Sequence, residues 1–180
     1  EHVLVLVVHH IVADGWSMGV LTKELESLYG ASVSAEPLQE LPVQYADYAV
    51  WQREWLQGEV LEEQLSWWRA RLAGAPEALE VPTDRPRPKV QSYRGASAPV
   101  RFPRELSEKL KHVSRREGVT LYMTLLAGFQ VLLARYSGQW DVVVGSPVSG
   151  RTVKEVEGLI GFFVNTLVVR TEAAEELTSR

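Results

Sequence analysis

The sequence predicts an α/β fold. β-branched and aliphatic runs at Val3–Val8 (VLVLVV), Asp141–Gly145 (DVVVG) and Phe162–Val169 (FFVNTLVV) read as strands. The stretches between them carry apolar residues at helical spacing, so strands and helices alternate along the chain. At 180 residues, 46% of them apolar and 23% charged, the chain has material for an ordinary hydrophobic core.

Taken in order, Val3–Val8 is continuously apolar, the pattern of a strand covered on both faces inside a sheet. Ser17 is expected to cap a helix in which Met18, Leu21, Leu25 and Leu28 form the apolar stripe and Gly30 marks the end. Periodicity is lost from Ala31 to Pro42, which reads as a connection. YADYAVWQREWLQGEVLEEQLSWWRARLAG reads as two helices broken near Gly58, with Trp51, Trp55, Trp67 and Trp68 as large amphipathic packing groups between helices. VPTDRPRPKVQ, rich in prolines and cations, reads as an extended, solvated linker in preference to a contact surface for a carrier protein. A strand is expected at Ala98–Phe102, then a helix over Leu106–Arg116 ending at Gly118. Thr120 is placed to cap a further helix whose Leu121, Leu125, Leu126, Phe129, Leu132 and Leu133 share one face. SPVSGRTVKEVEGLIG joins the last two strands. Because the chain starts at Glu1 with a strand already under way and no initiator Met, it is expected to be a segment of a larger polypeptide.

Composition narrows the chemistry. Nineteen basic and 23 acidic residues leave a net charge of -4 with no long block of either sign, which favours neither nucleic acid nor an anionic membrane surface. There is no cysteine, so disulfides, thiolate metal sites and a protein thiol nucleophile are excluded. That also suits a reducing, cytoplasmic setting. Any thioester chemistry must draw its thiol from elsewhere. The longest apolar run is far too short to span a bilayer.

The stretch His9–Ser17 (HHIVADGWS) concentrates reactive side chains behind an apolar run. Successive strand residues face opposite sides, so His9 and His10 do not readily share one metal ion, and His2 and His112 are the only other imidazoles. No metal is expected. The reading preferred here packs one ring inward and points the other into a cleft, where an imidazole with a reference pKa of about 6.5 can accept or position a proton; packing of both rings is the alternative. Asp14, in a turn, can orient a histidine, cap the following helix or bind a cation. A carboxylate held by an arginine would lock the loop, and Gly15 lets backbone come close to a bound group.

HHIVADGWS resembles the His-motif HHxxxDGxS of the condensation domains of nonribosomal peptide synthetases, members of the chloramphenicol-acetyltransferase-like superfamily. YADYAVWQ at Tyr45–Gln52 resembles that family's YxDYAxW motif, and IGFFVNTLVVR at Ile160–Arg170 its GxFVNT motif. The stretch from Thr120 to Arg151 is similar to the family's helix-strand-loop ending in a GR pair. These ordered signatures cover nearly the whole chain. They imply a two-lobed sandwich, of which residues 1–40 would be the end of the N-terminal lobe, with the His motif, and residues 41–180 the start of the C-terminal lobe. The chain would then be less than half of a complete domain.

The implied activity is amide bond formation between a donor aminoacyl or peptidyl thioester and the amine of an acceptor aminoacyl thioester. The resemblance assigns the tunnel-facing role to His10, as a base or as a positioning group. It pairs Asp14 with Arg151 and places the Gly15 N–H near the donor carbonyl. His9, Arg151, Asn165 and Thr166 are expected to support the site, and Tyr45, Asp47 and Trp51 to be structural. No cofactor is expected on the chain itself. Phosphopantetheine arms would be presented by an upstream donor and a downstream acceptor carrier protein, with an adenylation domain adjacent in the same polypeptide. The alternatives are an epimerisation domain of the same superfamily, disfavoured by FVNT, and a catalytically silent module that docks or gates carriers. A heterocyclising domain, which carries two aspartates in the motif, is disfavoured by His9 and His10.

Overall fold

The computed structural model describes residues 2–30, 38–86 and 88–172. Among the described residues five helices, α1 (Gly15–Gly30), α2 (Tyr45–Trp55), α3 (Gly58–Leu72), α4 (Arg104–Arg116) and α5 (Leu121–Ser137), precede strand β1 (Asp141–Val148), a 3-10 turn at Lys154–Val156 and strand β2 (Asn165–Glu172). The chain divides into two compact units, one of Glu1–Ala73 with Gly145–Val168, the other of Gly74–Val144 with Val169–Arg180. This division differs from residues 1–40 against 41–180, an expectation that concerns the lobes of a larger domain.

The first unit is organised around Val156, Leu159 and Phe163, with Leu41, Val43, Tyr45 and Tyr48 packed against them. Burying the side chains of Val156, Leu159 and Phe163 stabilises by about 1.5–3 kcal/mol each. The cluster thereby anchors the loop between β1 and β2 to the start of α2. That helix is fixed locally as well, because the Asp47 carboxylate accepts the Gln44 backbone N–H at 2.8 Å, satisfying a donor just outside the first turn.

In the second unit Thr120 caps α5 by accepting the Met123 N–H at 3.2 Å, as its position before an apolar stripe predicts. The Ser114 and Thr124 hydroxyls, 2.7 Å apart, link α4 to α5. Asp141 faces Arg170 in this unit, and in the first unit Gly145 faces Thr166. Advancing four residues along β1 therefore means going back four along β2, the register of an antiparallel pair.

Several expected elements are absent or displaced. Val3–Val8 forms no strand and is exposed, with Val7 at 92%. A strand is made by hydrogen bonds to a neighbour, and among the described residues only β1 and β2 pair. Ala98–Phe102 is likewise irregular. β2 begins at Asn165 instead of Phe162, because Phe163 turns into the core. The α1 stripe is largely uncovered, with Met18, Leu25 and Leu28 exposed. Trp51, Trp55 and Trp67 are about half exposed, and instead of bridging helices the rings meet neighbours on their own helix: Trp51 stacks on Trp55 at 5.7 Å, and Trp67 meets Trp68 edge-on at 4.7 Å. Residues 81–91 carry no helix or strand where described. The connection expected at Ala31–Pro42 lies mostly outside the described residues. No single helix among those described is long and apolar enough to cross a membrane.

Candidate functional site

The HHIVADGWS stretch leads into α1, and its turn is held by hydrogen bonds that start with Asp14. This residue, expected as a turn carboxylate with three open roles, takes the cap: Asp14 Oδ1 accepts the Ser17 N–H at 2.9 Å, so α1 starts at Gly15. Ser17, expected to be the cap, lies instead within the first turn, with its hydroxyl directed inward and no exposed surface.

Further contacts brace the Asp14 turn internally and hold it against the loop before β2. The Asp14 N–H donates to the Gly161 carbonyl at 3.2 Å, and Asp14 Oδ2 accepts the Phe163 N–H at 3.0 Å. The Ser17 hydroxyl contacts Asp14 Oδ1 at 2.8 Å, and Arg151 Nη2 lies 3.2 Å from that same oxygen. Both charged side chains are almost wholly buried, Arg151 at 1% exposure and Asp14 at 4%. Burial alone would raise the Asp14 pKa. Donation from Ser17 N–H, the Ser17 hydroxyl, Phe163 N–H and Arg151 outweighs it and holds the carboxyl well below the usual carboxylate range.

Arg151 is placed by its own loop. Its Nη1 donates to the carbonyls of Val156 and Leu159, and its Nη2 to Ser17 Oγ at 2.9 Å. The guanidinium stacks over the Phe163 ring at 4.0 Å from the centroid. Two glycines make this approach possible. Gly150 has φ +68°, and a Cβ there would overlap the Phe163 carbonyl; a Cβ on Gly161 would overlap the Tyr45 ring. Tyr45, whose hydroxyl donates to the Phe162 carbonyl at 2.9 Å, closes the arrangement from α2. The HHIVADGWS, YADYAVW, Gly150–Arg151 and IGFFVNT stretches thus meet in one place within one unit. Ser17, Gly161 and Phe163 were not singled out as site residues from the sequence, although each lies inside a motif that was.

The two histidines are both exposed, so neither ring is packed inward among the described residues. Their hydrogen bonds imply that, when neutral, the two rings bear their hydrogens on opposite nitrogens. His10 Nδ1 lies 2.8 Å from the Ala13 carbonyl; a carbonyl only accepts, so Nδ1 bears the hydrogen and the neutral ring keeps its lone pair on Nε2. His9 Nδ1 instead accepts the Ile11 N–H at 3.1 Å, which puts the hydrogen of its neutral ring on Nε2. The His10 ring meets Phe162 edge-on at 5.2 Å.

Gly15, with open space where a Cβ would stand, borders a cleft with Trp16, Gly19, Lys23 and Glu157. Trp16 spans this cleft's rim by donating its indole N–H to the Glu157 carbonyl at 2.8 Å. Asn165 and Thr166 stand apart from the clasp at the exposed start of β2, where Asn165 Oδ1 accepts the Thr166 N–H at 2.8 Å and the Thr166 methyl packs against Gly145. Asn165 shares a second cleft with Tyr45, Tyr48, Gln52 and Phe162. Among the described residues no group of three or more His, Cys, Asp or Glu side chains is arranged to hold a metal ion. Arrangements of this kind can offer an imidazole lone pair beside a buried anchor that is ionised at neutral pH.

Comparison with known proteins finds a match to the family described as Condensation domain over residues 1–179. The chain is 46% identical over 182 residues to Malpinin synthetase of Mortierella alpina, covering 100% of this chain and 2% of that protein. It is 44% identical over 178 residues to Gramicidin S synthase 2 of Brevibacillus brevis, covering 99% of this chain and 4% of that protein. It therefore spans only a small part of the length of the curated relatives it matches. Among solved structures it is similar to the X-domain in complex with OxyB from teicoplanin biosynthesis, with a TM-score of 0.82 and 31% identity over 92% of this chain and 38% of that one. A four-domain nonribosomal peptide synthetase, holo-AB3403 bound to AMP and glycine, superposes with a TM-score of 0.81 and 29% identity, over 93% of this chain and 12% of that one.

Proposed function

This chain belongs to the condensation-domain family, with that family's α/β fold, and we propose that in its parent domain it forms amide bonds in nonribosomal peptide synthesis. The observation that carries the reading is the His10 ring, held by the Ala13 carbonyl with its Nε2 lone pair open, beside a buried network that joins the His motif, the Gly150–Arg151 pair and the FVNT loop.

In this reading the amine of a carrier-bound acceptor aminoacyl group attacks the thioester carbonyl of a carrier-bound donor. The C–N bond forms, the C–S bond breaks, and the donor arm leaves as the thiol. His10 Nε2 takes the proton that the amine nitrogen sheds as its C–N bond forms and can return it to the departing sulfur. The Gly15 N–H, at the first position of α1, faces the developing oxyanion. Asp14 and Arg151 hold the turn, and Asn165 and Thr166 line the approach. Base assistance supplies about 10²- to 10⁴-fold, and alignment of two tethered reactants can supply more. The phosphopantetheine arms are substrates delivered by upstream and downstream carriers, with an adenylation domain as neighbour in the same polypeptide. A chain without cysteine suits a cytoplasmic setting, where the thiols involved are those of the carriers. The exposed apolar run Val3–Val8 and the α1 stripe then become surfaces that the remainder of the domain covers, and the lobe boundary near residue 40 belongs to the same proposal.

The test is single-turnover amide formation by the intact parent domain, with donor and acceptor loaded on carriers. His10→Ala is expected to lose about 10²- to 10⁴-fold in rate with its melting temperature unchanged. An unchanged rate would overturn the base role and leave alignment as the source of catalysis. A second reading is a catalytically silent docking or gating module, and the similarity to the X-domain, which was solved in complex with OxyB, supports its docking part. Absence of amide product with wild-type domain and competent carriers would favour it, and inversion of the donor residue would favour an epimerase.

A further inference from the structure

Among the described residues, the Ser17 hydroxyl is the one group in the clasp that touches Asp14, Arg151 and both polar atoms of Gly161. It receives hydrogen bonds from Arg151 Nη2 at 2.9 Å and from the Gly161 N–H at 3.0 Å, which fill its two lone pairs. Its single hydrogen faces two acceptors, Asp14 Oδ1 and the Gly161 carbonyl, each at 2.8 Å. Wherever that hydrogen points, Gly161 stays tied to Ser17 through its N–H, and the Asp14 N–H donates directly to the Gly161 carbonyl.

That last contact reaches His10. The Ala13–Asp14 peptide is a rigid plane, so the direction of its N–H sets the direction of its carbonyl. Its N–H is held by Gly161, and its carbonyl accepts His10 Nδ1. Holding Gly161 therefore aims the Ala13 carbonyl at the imidazole. We infer that Ser17 is a positioning residue: its buried hydroxyl, acting through Gly161 and the Ala13–Asp14 peptide, keeps His10 in the Nδ1–H form with Nε2 available. The importance of this for rate rests on the amide-forming function proposed above; the effect on the imidazole itself does not.

The experiment reads both, in the intact parent domain. ¹⁵N spectra of the imidazoles, assigned with His10→Gln and taken about two pH units above the ordinary histidine value of about 6.5, report the tautomer. Wild type is expected to show His10 as Nδ1–H. Ser17→Ala is expected to shift it toward Nε2–H and to slow single-turnover amide formation by roughly tenfold to a hundredfold, with KM for the loaded carriers unchanged. Ser17→Thr, which keeps the hydroxyl, is expected to retain the wild-type tautomer. If Ser17→Ala does not fold, Ser17→Cys, similar in volume and a weak hydrogen-bonding group, is read in the same way. An Nε2–H form in wild type overturns the proposal without any variant, as does an Nδ1–H form that survives loss of the hydroxyl. A domain that forms no amide while Ser17→Ala still shifts the tautomer would sink the proposed function and leave the positioning role standing.

Discussion

Two aspartate–arginine pairs in this chain use the same chemistry in opposite settings. Arg170 and Asp141 form a fork across β1 and β2, with Nε and Nη2 donating to the two carboxylate oxygens at 2.9 and 2.7 Å. Arg151 and Asp14 touch through one nitrogen and one oxygen at 3.2 Å, a poorer pair by geometry, yet both are more deeply buried. What compensates at Asp14 is the surrounding backbone and Ser17, which supply most of its hydrogen bonds. The better fork helps register two strands; the worse one joins three sequence motifs. Number and distance of ionic contacts therefore say less about a pair's structural weight than the cost of leaving its partner stranded.

The sharpest way to break this comparison is to remove the cations in turn. Arg151→Ala leaves the Asp14 carboxylate buried without its counter-charge, and a loss of about 3–5 kcal/mol is expected, read as a fall in the melting temperature of the intact domain. A fall no larger than that of a substitution at the Asp141 fork would mean that the hydrogen bonds from Ser17 and Phe163 hold Asp14 unaided.

Acid should separate the pairs next. The folded pKa of Asp14 lies below its ordinary value, so in acid the unfolded chain takes up the proton first, and stability falls as pH falls. Its contribution is complete above about pH 4, near the ordinary aspartate value, and is lost progressively below it. Melting curves from pH 6 downward should show a steeper acid decline in wild type than in Asp14→Asn. Equal slopes would remove Asp14 as a source of acid sensitivity. Asp141 is shifted in the same direction, chiefly by its hydrogen bonds from Arg170, so its contribution has the same sign.

The smallest effect is expected from Asp141→Asn at neutral pH. Arg170 also lies 3.3 Å from Glu172, and the partly exposed Asp141 is screened by water. A slight drop in melting temperature that shrinks further at high salt is expected; a drop that salt does not alter would show the fork to be as insulated as the clasp.

What could be read from the sequence follows the range of the interactions involved. Thr120 before an apolar stripe and the break near Gly58 are local matters, decided by groups about three residues apart or by one backbone angle, and the sequence alone determined them. The motif residues and their order likewise pointed to the family and to Asp14, Gly15 and Arg151 as candidates. Tertiary structure decided the rest. Ser17 read as a cap because a serine before a helical stripe usually is one, but Asp14 takes the N–H, and Arg151, 134 residues away, claims the hydroxyl. Phe163 read as strand because it is aromatic among β-branched residues, yet its N–H goes to a carboxylate 149 residues distant and its ring to the core. Val3–Val8 has every local mark of a strand and is not one here, since a strand exists only where another segment offers its hydrogen bonds.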